Sequence, residues 1–157
     1  MKQILLLVSC AFSLLTSCAS CDKDGAAPGT VNNNINNTNP AGSKMKVKIG
    51  NQTFTATLYD NATAVAFKSM LPMTVNMVEL NGNEKYVDLS RSLPANTSKP
   101  GMIQPGDLML YGSSTLVLFY KTFSTSYSYT RLGRIDDPSG LAAAVASGNL
   151  PVTFESE

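Results

Sequence analysis

Two apolar runs, Leu108-Met109-Leu110-Tyr111 and Leu116-Val117-Leu118-Phe119-Tyr120, constrain this chain most. Successive side chains of a strand point to opposite faces, so a strand with one wet face alternates apolar and polar residues. These runs do not alternate, and each is too short for an ordinary helix. Joined by Gly112-Ser113-Ser114, they predict central strands buried on both faces.

The remaining segments supply more strands. Lys46 to Ile49 and Phe54 to Leu58 alternate around Gly50-Asn51, the pattern of a hairpin. Met73 to Leu80 is rich in strand formers, Asn81-Gly82-Asn83 turns, and Lys85 to Leu89 alternates. Glu84-Lys85-Tyr86 reads as a hairpin shoulder. Residues 90–106 carry three prolines and two glycines and read as a long loop, a class that is often functional. Arg131 to Ile135 and Val152 to Phe154 complete the set. Asn61 is a suitable N-cap, and Ala62, Val65, Ala66, Ser69 and Met70 follow with helical spacing as far as Pro72. Gly140 to Ala146 predicts a second small helix with Leu141, Ala144 and Val145 on one face and Gly148 as its cap. The expected fold is mainly β: a closed barrel with two short helices, one at each mouth. Closure would remove exposed strand edges.

The start of the chain has a different character. Met1-Lys2-Gln3 precedes Ile4 to Leu15, twelve nearly all-apolar residues. A permanent membrane helix needs about 20, so residues 1–17 are expected to be an export signal. Leu15-Thr16-Ser17-Cys18 resembles the lipobox of bacterial lipoproteins. The resemblance implies cleavage before Cys18 and lipidation of its thiol and new amino terminus, an anchor of more than one acyl chain. An ordinary secretory signal is the alternative. Residues 18–43 are expected to form the lipidated cysteine and a flexible, asparagine-rich tether, because they offer almost nothing to bury. The folded domain is then 44–157, anchored to a membrane, outer membrane or cell surface, outside the cytoplasm. Its ten Lys or Arg and nine Asp or Glu nearly balance, which gives no reason to expect a nucleic-acid partner.

Gly133-Arg134-Ile135, followed by Gly140-Leu141-Ala142-Ala143-Ala144-Val145, resembles the last strand–helix unit of cyclophilins. Leu58-Tyr59-Asp60-Asn61-Ala62-Thr63-Ala64, Leu80 to Tyr86 and Gly106 to Tyr111 resemble a bacterial cyclophilin-like family, over essentially all of 45–155. The resemblance implies a cyclophilin-like β-barrel. Active prolyl isomerases of that fold use an arginine to polarise the X-Pro amide, and commonly a glutamine, a tryptophan and a histidine along the groove. This chain has neither His nor Trp, and fold does not carry activity with it.

The absence of histidine also excludes Ser-His-Asp and Cys-His chemistry and histidine metal sites. The domain has no cysteine, hence no internal disulfide or thiol nucleophile. Asp136-Asp137, before Pro138-Ser139-Gly140, reads as a turn and helix entrance. No cofactor is implied. Aromatic residues cluster late: Tyr111, Tyr120, Phe123, Tyr127 and Tyr129. Tyr127 and Tyr129 alternate with serines, so in a strand both would share one face. With Phe119 and Phe123 they are expected to line a shallow groove for a peptide or small molecule; barrel core with rim tyrosines is the plainer reading. Arg131 is expected either to meet an amide or carboxylate of a ligand or to pair with Asp107 or Glu84. The leading expectation is a lipid-anchored binding module without catalysis. The alternative is a divergent prolyl isomerase with Arg91 or Arg131 as polarising group.

Overall fold

Alternation in the first segments builds a hairpin. β1 (Lys44–Ile49) and β2 (Gln52–Leu58) pair antiparallel, with Val47 opposite Phe54 and Ile49 opposite Gln52. Gly50 turns the chain at φ 57°, a region that favours glycine. The computed structural model describes residues 41–145 and 148–157; the expected export signal, Cys18 and nearly all of the tether lie outside the described residues. Pairing begins slightly before β1: Gly42 N donates to Leu58 O (2.9 Å) and Leu58 N to Ser43 O (2.9 Å). A side chain at Gly42 would come within 2.6 Å of Leu58 O, so the approach depends on glycine.

The other elements follow in order: α1 (Ala62–Lys68), β3 (Met73–Leu80), β4 (Glu84–Asp88), β5 (Met102–Ile103), β6 (Asp107–Tyr111), β7 (Thr115–Phe119), β8 (Phe123–Ser124), β9 (Thr130–Ile135), α2 (Leu141–Ala144) and β10 (Leu150–Ser156). Eight strands form a closed antiparallel barrel in the order β1-β10-β3-β4-β7-β6-β9-β2, with β2 returning to β1. The expected mainly β fold, a closed barrel with two short helices, is what the chain adopts. β5 and β8 form a separate two-stranded ribbon.

The apolar runs occupy β6 and β7, and their side chains divide between two clusters. Leu108, Leu110, Leu116 and Leu118 fill the barrel with Met45, Val47, Val152 and Phe154. Met109, Val117 and Phe119 point the other way, into a second cluster with Ile103 and Tyr129. That outer cluster explains why these strands are apolar at nearly every position. Burying one such side chain contributes roughly 1.5–3 kcal/mol.

The helices plug opposite mouths. β2 runs away from the Gly50 turn, so α1 begins at the far rim, where Asn61 Oδ1 accepts from Ala64 N (2.9 Å). β9 runs back beside β2, with Leu58 opposite Gly133 and Ala56 opposite Ile135. The chain therefore leaves β9 at the hairpin rim, where Gly140 packs near Gln52 and starts α2. Ala64 and Phe67 from α1, and Leu141 and Val145 from α2, complete the core. The first helix stops at Lys68, short of Met70; two i→i−3 bonds, Met70 N to Phe67 O and Leu71 N to Lys68 O, carry the chain to the cis Leu71-Pro72 bond.

The aromatic segment departs from expectation. Within residues 122–129 only Phe123 and Ser124 form strand, and Tyr129 makes an isolated bridge to Ser98. The segment lies over the barrel rather than in it. Its partner is the proline-rich loop, to which it bonds at scattered points: Thr125 N to Gly101 O (2.8 Å) and Tyr129 N to Ser98 O (3.0 Å). Prolines at 94, 100 and 105 deny that loop a continuous row of donors.

Candidate functional site

The outer face of β4 and β7, with Tyr111 at the end of β6, forms the floor of an open groove of about 580 Å³. Register places its residues. Glu84 lies opposite Phe119, Tyr86 opposite Val117, and Asp88 opposite Thr115. In the next pair Thr115 meets Tyr111 and Val117 meets Met109. The period of two puts Glu84, Tyr86 and Asp88 on the groove side, while Lys85 and Val87 turn toward the barrel. Phe123 to Tyr127 and Tyr129 form one wall, and Leu80, Asn81 and Asn83 close the end.

Ring packing holds the wall. Tyr111 meets Tyr127 edge-on (6.2 Å, 90°) and Tyr129 at a tilt (5.7 Å, 55°). Phe119 packs edge-on against Tyr129 (5.5 Å) and at a tilt against Phe123 (5.7 Å). Phe119 and Tyr129 are buried anchors, whereas Tyr111 and Tyr127 are 48% and 62% exposed. The two anchors fix the wall from beneath, and the two exposed tyrosines present their rings to the groove.

The groove is acidic. Glu84 and Asp88 are its only charged lining residues; among the described residues no Lys or Arg lines it. Burial first, and then the nearby Glu79 charge, push the Glu84 carboxyl above its ordinary value. Burial, then the Glu84 charge, likewise raise the Tyr129 phenol. Asp88 is exposed and accepts a hydrogen bond from the Thr115 hydroxyl (2.6 Å). Behind this face, at the hairpin rim, the wholly buried Lys85 ammonium lies 2.5 Å from Glu79 Oε2 and donates to Gly148 O (2.6 Å). Tyr120 OH donates to Glu79 Oε1 (2.7 Å). Burial and that bond push the Tyr120 phenol up to about 12.

Of the expected groove residues, Phe123, Tyr127 and Tyr129 line it and Phe119 lies directly beneath. The two tyrosines share it through loop conformation and ring contacts, not through strand alternation. Tyr120 belongs to the barrel core. The arginines do not join them. Arg91 donates to Ser69 Oγ (2.8 Å) and Ala66 O (3.3 Å) at the end of α1, beside a separate hollow near Met73 and Thr74. Arg131 on β9 stands in register with Met109 on β6, and β9 is separated from β4 by both β7 and β6. It is Arg134 that faces Asp107, at 3.8 Å; Arg131 acts on that carboxyl only through its charge. Asp136 binds Lys44 (2.6 Å) and Thr57 Oγ1 (2.6 Å), and Asp137 accepts from Ser139 N (2.9 Å), so this pair works as a turn.

Sequence reasoning missed Glu84, Tyr86 and Asp88, which it placed in a hairpin shoulder and a short strand. Their alternation was legible; the β7 neighbour that makes their face a groove was not.

A model of the cyclophilin-like family matches residues 47–155. No curated protein matches the chain. Among solved structures, the hypothetical protein AF2241 from Archaeoglobus fulgidus, determined in solution, is similar in fold at TM-score 0.51 and 14% identity, over 77% of this chain and 99% of that one. That likeness concerns the fold alone. The family match spans most of the chain and nearly the whole barrel, from within β1 to within β10, and the chain belongs to the cyclophilin-like family.

Proposed function

We propose that this protein is a lipid-anchored binding module of the cell envelope. Its cyclophilin-like domain takes a peptide segment or small molecule into the tyrosine-walled groove without catalysing a reaction. The observation that carries this reading is the groove itself: about 580 Å³, open, with an aromatic wall packed on the buried rings of Phe119 and Tyr129. Binding sites combine apolar walls with a few convergent polar groups. Amide polarisation would require a cation in the groove, and both arginines considered for it sit elsewhere. The export signal at 1–17, lipidation of Cys18 and the tether supply the anchor in this reading.

The experiment is an NMR titration of the full chain against a library of blocked proline-containing tetrapeptides, with a protease-coupled isomerisation assay on the same samples. Shifts confined to Tyr111, Tyr127 and their neighbours, with no rate acceleration, are expected. Acceleration abolished by Arg91→Ala or Arg131→Ala would establish the isomerase instead. For the anchor, Cys18→Ser is expected to abolish metabolic fatty-acid labelling and release the protein from membranes.

A further inference from the structure

Glu84 is 91% buried, since 9% of its surface is accessible, and it opens onto the groove. Its carboxylate takes part in no hydrogen bond or ion pair among the described residues. Buried charges are ordinarily paired. Lys85, next in sequence, is committed elsewhere: it points inward to Glu79 and Gly148. Beside Glu84, Asn83 Oδ1 is buried with no donor. One end of the groove therefore holds a carboxylate that nothing described pairs, and the exposed rings of Tyr111 and Tyr127 stand along the same groove. Tyrosine ring faces attract cations.

We propose, building on the binding reading of this groove, that its occupant is a peptide segment that places a lysine or arginine side chain against Glu84. The aliphatic stem of that side chain would lie along Tyr86 and Val117, and the charged head would meet the carboxylate, as long basic side chains do at amphipathic surfaces. Charge complementarity selects the cation, because the groove's two charged groups are the carboxylates of Glu84 and Asp88 and no base among the described residues opposes them. Size selects a peptide over a free amine: about 580 Å³ is several times the volume of one basic side chain. The hydroxyls of Thr115 on its floor and of Ser124 and Ser126 in its wall can bond to peptide amides. A bound cation also relieves the cost that burial and Glu79 impose on the ionised Glu84.

The test uses the full chain and three probes: a blocked pentapeptide with a central lysine among alanines, its norleucine counterpart, and n-butylamine. Binding is followed by NMR and calorimetry. The lysine peptide is expected to bind at least about tenfold more tightly than the norleucine peptide, the factor expected of one charge-assisted hydrogen bond. Glu84→Gln is expected to erase that preference, and the wild-type comparison stands even if the variant folds poorly. Equal affinity for the lysine and norleucine peptides, or a preference that survives Glu84→Gln, would overturn the assignment. If both peptides shift Tyr127 equally, the groove is a binding site and only its cation selectivity is wrong. If no probe moves any groove residue, the binding reading fails with it. Butylamine binding as tightly as the lysine peptide would overturn the peptide as occupant.

Discussion

Glu79 and Lys85 stand opposite each other in register across β3 and β4, and their side chains meet at 2.5 Å. The pair turns Lys85 inward and so leaves Glu84 on the opposite face of β4, toward the groove. One ion pair thus helps orient the strand that lines the groove. Removing one partner of a buried pair leaves an uncompensated charge, typically at about 3–5 kcal/mol. Glu79→Gln is expected to destabilise the domain by an amount near the lower end, because Glu79 is 26% exposed. Lys85→Met combined with Glu79→Gln is expected to restore most of the loss. Urea denaturation of the single and double variants measures both.

The pair also sets an acid dependence. Burial opposes the charge on Glu79, but bonds from Lys85, Tyr120 and Gly82 and the Lys85 charge outweigh it and hold the carboxyl below 4.5. A depressed carboxyl contributes stability that is full above its unfolded value and lost as pH falls through the folded one. The wild type is therefore expected to lose stability more steeply than Glu79→Gln below pH 4.5, read from denaturation midpoints across an acid series.

Glu84 works in the opposite direction. Its folded value is raised, by burial and then by Glu79. The stability tied to its protonated form is full below the unfolded value of 4.5 and lost as pH rises through the folded one. Glu84→Gln is expected to raise the melting temperature at neutral pH and to change little in acid. A neutral variant that melts lower than wild type at neutral pH would contradict the unpaired carboxylate.

The two wall tyrosines should separate stability from binding. Tyr129 is buried between Phe119 and Tyr111, and truncating a buried aromatic costs about 3–5 kcal/mol. Tyr127 is 62% exposed, so Tyr127→Ala is expected to stay within about 0.5 kcal/mol of wild type while weakening peptide binding. Chemical denaturation beside a binding titration distinguishes them.

Asn61 holds the start of α1 in two ways: its Oδ1 caps Ala64 N within the helix, and its Nδ2 ties the cap to the barrel by donating to Arg131 O on β9 (2.9 Å). Asn61→Ala is expected to cost about 1–2 kcal/mol. Asn61→Asp keeps the cap but not the donor, so it should recover only part of the loss in the same denaturation assay.

Much of the barrel was legible because its rules are local. Alternation and turn residues marked the hairpin at Gly50, the unbroken runs marked β6 and β7, and Asn61 marked the start of α1. The groove was legible only in part. Its aromatic wall announced itself by composition, but Tyr127 and Tyr129 reach it through a loop whose path depends on prolines and on contacts with residues 98–103. Arg131 looked available beside the tyrosines in sequence, yet β9 lies beyond β6, with β7 and β6 between it and β4.

By itself the sequence determined the eight barrel strands, the two helix positions, the lack of histidine chemistry and the absence of cysteine from the domain, since periodicity, capping and composition act over a few residues; the short β5–β8 ribbon it did not mark. Only the tertiary structure decided that Glu84, Tyr86 and Asp88 share a face with Val117 and Tyr111. That choice belongs to the pairing of β4 with β7 and of β7 with β6. Which strand becomes whose neighbour depends on closure of the whole barrel, a condition that no short stretch of the chain contains.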